Sequence, residues 1–401
     1  MRKKAFLTLA AIFFALVTYC QENNPSDEKG KVVARYDKNG LNIESTDGFF
    51  SLQPELRFQF RFYSSFDSNP RSADGFHADK RPSIIIRRAR LKAKGHVGKE
   101  FIKYDFEYEL AASRLLNANL KFEKWRGFSA RIGQYKVPYN RERDISSGKQ
   151  TLIERSIVNR AFTIDRQVGI TIYGNFGAES IANFDYIAAV YTGTGLLSLA
   201  NDDSNMMYMG RFQWNFIGEP IPTSESDSDR KGNEAPRGSI ALAGATNISP
   251  YTRFSSGGGG LLDAFLRGEP GQYKVDQVVQ DFMFKYKGIS VLQELHYKKI
   301  NDRIDNVDRN MRGYFVQVGF FPGYVIDGIT KNLQFAFRIA NNDENISEDE
   351  EQYRDELTFG VNYYFNGFRN RLQTDFSLLD LHTPDEIHST QRFRIQWDIS
   401  F

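Results

Sequence analysis

The chain has 401 residues, with 52 basic against 50 acidic, one cysteine, 34 Phe and 20 Tyr. So even a charge balance excludes whole-protein attraction for nucleic acid or any other polyanion, and any selectivity must come from placement. Beyond the N-terminus no segment reaches the roughly 18 continuous apolar residues of a membrane helix, and the mean hydropathy is negative, which leaves a soluble exported protein or a membrane-spanning β-barrel.

Residues 1–20 read as a secretory signal: Arg2-Lys3-Lys4, then an apolar run from Ala5 to Val17 broken only by Thr8. Cleavage is expected after Cys20; acylation of that cysteine needs small residues before it, and Tyr19 is not small. Without Arg2, Lys3 and Lys4 the mature chain carries 49 basic against 50 acidic residues and no cysteine, so no intramolecular disulfide is available. Aromatic residues gather near segment ends, where a barrel places its interfacial girdles, and this favours the barrel. Residues 21–50 are expected to form a polar periplasmic lead-in, with a small hairpin of 32–36 and 41–43 about Asn39-Gly40.

From residue 51 to 401 the pattern is that of one domain. Leu52, Leu56, Phe58, Phe60 and Phe62 alternate with Gln53, Glu55, Arg57, Gln59 and Arg61. The next unit, 87–110, is a hairpin about the turn Gly98-Lys99-Glu100. On its first arm Arg88, Arg90, Lys92, Lys94 and His96 share a face opposite Ala89, Leu91, Ala93, Gly95 and Val97; on its second, Lys103, Asp105, Glu107 and Glu109 alternate with Ile102, Tyr104, Phe106, Tyr108 and Leu110. A polar face turned to bulk water mixes its charges, whereas a cationic row beside a mostly anionic one suits the wall of a narrow aqueous lumen. Alternation recurs at 115–125, 128–137, 167–174, 181–191, 207–216, 239–247, 275–287, 289–297, 313–321, 333–340, 357–365, 371–378 and 391–401. The expected fold is therefore all-β, a transmembrane antiparallel barrel of about 16 strands, an even number that leaves both termini on one side.

Short connections (98–100, 126–127, 175–179, 287–288, 366–369) alternate with long ones (64–82, 138–166, 192–206, 248–272, 298–312, 341–356, 379–390). Two break the rule: 111–114 is short for an outer loop, and 217–238, rich in Ser, Asp, Glu and Pro, is long for a turn and could fold back toward the pore. The connection 138–166, third of the outer loops once 111–114 is counted, is a candidate to fold inward. It holds Arg141, Arg143, Lys149, Arg155, Arg160 and Arg166 against Glu142, Asp144, Glu154 and Asp165, residues that either build a constriction or salt-bridge the loop to the wall.

Catalytic chemistry finds little support. His77, His96, His296, His382 and His388 are scattered without metal-ligand spacing on a strand, and no nucleophile motif is present, so neither a metal nor another cofactor is expected. Gly257 to Gly260 lacks the Lys and helix of a phosphate loop, and the acidic stretch 341–351 reads as a solvated loop before it reads as a cation and lipopolysaccharide site. The row Arg88, Arg90, Lys92, Lys94 is the sharpest feature. Asp105, Glu107 and Glu109 can neutralise it into a structural ladder, yet with Lys103 the hairpin still carries five cations against three carboxylates.

Arg87-Arg88-Ala89-Arg90-Leu91, Gly133-Gln134-Tyr135-Lys136-Val137-Pro138, Glu154-Arg155-Ser156, the run 313–320, the run 360–366 and the terminal Phe401 occur in the order and form that resemble the phosphate-selective porin O and P family. The resemblance runs from about residue 40 to the end. It implies a 16-stranded outer-membrane porin, a homotrimer, with an inward-folded third loop and a lumen ladder of arginines to which Arg88 and Arg90 correspond. Family members select phosphate with lysines near the constriction; none is matched here, so the expectation is passage of small anions such as phosphate rather than phosphate alone. Implied partners are outer-membrane lipid, lipopolysaccharide and the barrel assembly machinery, the last in keeping with the aromatic terminal strand. The alternatives are a barrel with a plugged lumen and a structural or surface-binding role, and, third, a barrel enzyme such as a lipid hydrolase.

Overall fold

Successive side chains of a strand point to opposite faces, so a segment apolar at every second residue offers a continuous greasy face only when it is paired with others of its kind. In the computed structural model these segments pair into one closed wall. The structure describes residues 30–37, 40–78, 81–177, 182–196, 201, 203–255, 259–262, 265–266, 268–344 and 352–401. The expected signal peptide, the first part of the lead-in, Gly257, Gly258 and most of the acidic stretch 341–351 lie outside the described residues.

A hairpin of β1 (Val32–Asp37) and β2 (Gly40–Ser45) precedes the wall and touches it at Ile43↔Leu52. The wall runs β3 (Phe50–Tyr63), β4 (Ser83–Val97), β5 (Lys99–Glu109), β6 (Arg114–Trp125), β7 (Phe128–Lys136), β8 (Arg166–Phe176), β9 (Phe184–Tyr191) and β10 (Met207–Ile217). It continues through β11 (Arg237–Ser249), β12 (Tyr273–Tyr286), β13 (Ile289–Asp302), β14 (Val307–Phe320), β15 (Leu333–Asp343), β16 (Tyr353–Asn366), β17 (Asn370–His382) and β18 (Ile387–Ser400). Each strand is antiparallel to its sequence neighbours, and β18 returns to β3 from Arg394↔Tyr63 to Ser400↔Arg57, closing a 16-stranded barrel. Each alternating segment read from the sequence is one of these strands.

The wall is apolar outside and polar inside. Ile84, Ile132, Ile170, Phe212, Leu242, Phe335 and Phe359 are exposed on the outer face, whereas Arg61, Arg211, Asp281, Glu294, Arg338, Arg371 and Arg394 are buried in the interior. Trp125 and Phe128 flank the turn 126–127 with ring centroids 6.4 Å apart, as expected of an interfacial girdle.

Two expected long connections are corrected. Residues 298–312 and 379–390 are not loops: β13 and β14 run on to a four-residue turn at 303–306, and β17 and β18 to one at 383–386. Beyond the membrane the outward face meets water while the inward face packs on the contents of the barrel, so Lys299, Asn301, Asp308 and Asn310 stand where the membrane part carries apolar groups and Ile300, Met311, Leu379 and Leu381 are buried inside; Lys299 pairs with Asp308 at 2.6 Å. The short connection after β5 is a genuine tight turn, with Ser113 left-handed at φ 49°. The segment 218–236, at the short-turn end, does fold back: Asp227 is buried inside the barrel, where its Oδ1 accepts from the Thr151 amide at 2.8 Å and its Oδ2 from Gln317 at 2.7 Å.

The third loop, 137–165, fills much of the lumen. A backbone inside a barrel has no strand to pair with, so its polar groups are met by wall side chains. Gln59 donates to Ser147 O at 3.3 Å, Arg211 to Tyr139 O at 3.0 Å, Asn362 to Thr151 O at 2.7 Å and Arg371 to Gln150 O at 2.7 Å. Glu294 accepts from the Glu142 amide at 2.7 Å and Glu356 from the Ile157 amide at 2.9 Å. The loop packs Tyr139, Ile157, Val158 and Phe162 against Val275, Val279, Met283, Leu292 and Phe315, so the hydrophobic core sits inside the lumen on the β12–β14 side. Polar space remains on the β4–β7 side.

Candidate permeation site

β4 descends the inner wall from the long-loop end. At about 6.6 Å per two residues, Arg88, Arg90, Lys92 and Lys94 stand one below another. At the top a bulge places Gln59 opposite Arg88 and Phe60 opposite Ile86, leaving Arg87 as the extra residue. Arg87 thereby turns inward beside Arg88, and its Nε lies 3.1 Å from both Asp67 and Glu154.

Glu154, on the third loop, sits among Arg61 at 2.8 Å, Arg87 and Arg88 at 3.1 Å. Burial works against its charge, but Arg88, Arg87 and Arg61 hold the carboxyl well below the usual range. One step down, Arg90 is held by Glu109 at 2.7 Å and Glu107 at 2.9 Å, and Arg166 shares Glu107 at 2.9 Å. Lys92 meets Glu55 at 2.7 Å, and Lys94 is exposed to the lumen. Pairing thus weakens with depth. Lys149 projects from the third loop, exposed; partial burial and then the charges of Lys94 and Lys92 push its ammonium down, which puts the three lysines in one field.

Above them lies a cavity of about 380 Å³ between β4–β8 and the third loop. Arg87, Arg88, Arg90, Arg114, Lys136 and Arg166 from the wall and Arg143 and Arg155 from the loop line it, against Glu109, Glu154 and Asp165: eight cations against three anions. Arg143 pairs with Asp165. Arg155 donates to Glu142 O at 3.0 Å and Ile145 O at 2.8 Å; burial, then Arg143, pushes its guanidinium down to about 9. A second cavity, about 410 Å³, opens between β6–β10 and the 218–236 segment. Its charge is nearly balanced, with Lys121, Arg126, Arg131 and Arg211 against Glu123, Asp144 and Asp185.

The structure therefore brings together Arg88, Arg90, Arg143 and Arg155 around one cavity and Lys92, Lys94 and Lys149 below it. Arg141 is not among them: it is buried against Asp281, Gln213 and Ser239. Arg160, half-buried on the one-turn helix Asn159–Phe162, does not line the cavity either. Arg87, Arg114 and Lys136 join it without having been singled out in the sequence. The bulge that admits Arg87 leaves no trace in strict alternation, whereas Arg114 directly after an unusually short outer turn was a signal available to be read.

The sequence profile of the phosphate-selective porin O and P family matches residues 58–396. The chain belongs to this family. No curated protein matches the sequence significantly. Among solved structures the porin resembles an anion-selective porin from Comamonas acidovorans (12% identity, covering 88% of this chain and 100% of that one, TM-score 0.55). It also resembles the outer-membrane channel DcaP of Acinetobacter baumannii (11%, 89% and 99%, TM-score 0.57) and in-vitro-folded OmpT of Vibrio cholerae in a trimer form (10%, 88% and 99%, TM-score 0.50). At such identities the likeness concerns the fold. Family and fold together make the protein a porin of the bacterial outer membrane.

Proposed function

We propose that the porin passes small anions, phosphate among them, down the β4 side of its lumen. The observation that carries this is the cavity with eight cations against three anions, continued downward by Lys92, Lys94 and Lys149. At an effective dielectric near 20, an anion about 6 Å from a single cation gains roughly 3 kcal/mol before screening, enough to replace part of its hydration. Arg88 and Arg90, fixed by carboxylates, keep their geometry and hold an anion weakly; the less paired lysines draw it on. Successive weak sites conduct where one deep site would trap. Arg143 and Arg155 form the loop side of the passage, while Arg141 anchors the loop. Phosphate, with several oxygens for the planar guanidinium fork, is the ligand such arginines suit.

Several further points belong to the same proposal: a homotrimer in outer-membrane lipid and lipopolysaccharide, assembly read from the aromatic last strand, removal of residues 1–20 on export, and a lead-in on the periplasmic side. A second possibility, a plugged barrel with a surface-binding role, is favoured by the third loop and the 218–236 segment entering the lumen from opposite ends.

Planar-bilayer recording decides between them. Discrete conductance with a reversal potential biased to chloride or phosphate is expected, and the double variant Lys94→Glu/Lys149→Glu should move that potential toward the cation. Absence of conductance supports the plug; an unmoved reversal potential removes the anion proposal.

A further inference from the structure

In the connection 64–82, Ser72 caps a one-turn helix, Ala73–His77, by accepting from the Gly75 amide at 3.3 Å, and buried Phe76 pins that turn to the barrel. On the other side of the β18–β3 seam, the turn 383–386 is closed by the Thr383 amide on Glu386 O at 3.0 Å and the Glu386 amide on Thr383 Oγ1 at 3.2 Å. Glu386 and His388, two residues apart along an extended chain, then project to one side. The two elements meet there. His77 Nε2 lies 2.9 Å from His388 Nδ1, His388 Nδ1 lies 3.3 Å from Glu386 Oε1, and the three donor atoms all fall within 4.8 Å of one another.

The geometry points to a binding site for a borderline divalent transition ion, zinc or copper, at the outer rim of the barrel. Two donors each about 2.0–2.1 Å from such an ion stand about 2.9 Å apart at a right angle and about 3.4 Å apart at the tetrahedral angle. Both measured separations fall in that span. Two imidazoles and one carboxylate are the donor set of nitrogen-preferring ions, not of calcium or magnesium, and a fourth position remains for water. The imidazole rings stand edge-on, with centroids 5.0 Å apart and 87° between planes.

The ion would staple the 64–82 connection to the β17–β18 turn across the seam where β18 meets β3. Asp67 belongs to that same connection and lies 3.1 Å from Arg87 at the head of the cationic row, so the staple sets the position of one acidic group over the entrance.

The test uses the full-length porin in detergent, stripped with chelator and titrated calorimetrically with zinc chloride alone. One zinc per chain is expected, with affinity falling roughly tenfold or more in each of His77→Ala, Glu386→Gln and His388→Ala. His382→Ala, which removes a neighbouring histidine outside the cluster, should bind as wild type. His77 is exposed, so His77→Ala keeps its fold, verified by heat-modifiable migration, and carries the test alone if the other variants assemble poorly. Zinc should also slow protease cleavage within 64–82 in wild type and not in His77→Ala. No stoichiometric binding, or binding unchanged in His77→Ala, overturns the site.

Discussion

Arg141 Nε lies 3.1 Å from Asp281 Oδ1, and neither side chain is exposed. The other carboxylate oxygen takes Arg211 at 2.6 Å, while Arg141 reaches the carbonyl of Pro222 at 2.9 Å. One carboxylate on β12 therefore ties together the third loop, β10 and, through Arg141, the 218–236 segment.

Asp281→Ala strands two buried guanidinium groups. Removing one member of such a pair costs about 3–5 kcal/mol. The variant should lose its heat-modifiable form at lower temperature and give larger, noisier conductance as the loop loosens. A wild-type melting profile together with a wild-type single-channel trace would show that the loop is held elsewhere.

Arg90→Glu and Lys94→Glu are predicted to differ although both reverse a charge on β4. The first places a third carboxylate against Glu107 and Glu109, which now bind Arg90 at 2.9 and 2.7 Å, and should lower the yield of folded barrel. Lys94, exposed to the lumen, should tolerate the change and alter selectivity alone. Leu91→Arg, turned to lipid, should cost about 2–4 kcal/mol near the midplane with no effect on the selectivity of what does fold. Quantifying trypsin-resistant barrel for the three variants checks the order; equal yields would contradict the register.

Burial pushes the Glu142 carboxyl up to about 7, opposed by Arg338 and by the Ser156 amide, which donates to it at 2.6 Å. Its value in the folded loop lies above the ordinary 4.5, so its contribution to stability is complete below about 4.5 and lost as pH rises through about 7. Wild-type melting temperature should carry a decline across that window that Glu142→Gln lacks. Parallel curves for the two proteins would assign the pH dependence to other groups.

The last residue closes the seam. Phe401 donates its amide to Leu56 O at 2.9 Å and its carbonyl accepts from the Leu56 amide at 3.3 Å. Deleting Phe401 removes both bonds and the terminal aromatic, and membrane-assembled barrel should fall well below wild type in a pulse-chase; unimpaired assembly would show that β18 pairs adequately without it.

What could be read in advance follows from where each residue sits. Lipid demands an apolar group at every second position, so all sixteen wall strands are visible as alternation; the opposition of Arg90 to Glu109 is not, because Lys99 and Glu100 belong to β5 rather than to the turn and the register shifts between His96 and Val97. Above the membrane that demand ends, and the outer parts of β13, β14, β17 and β18 look like loop. Arg87 reaches the cavity by a bulge, a local excess of one residue that a period of two cannot express. Glu154 meets Arg61, Arg87 and Arg88 only because a loop folds inward, and His77 meets His388 across 311 residues; neither encounter has any signature in local pattern.

The third loop also makes distant strands depend on one another. Its backbone is held by Gln59 on β3, Arg211 on β10, Asn362 on β16 and Arg371 on β17, groups spread over nearly the whole ribbon of wall. Only the closed wall brings these four partners around one strap, so the narrow route belongs to the completed circle and to no run of strands within it.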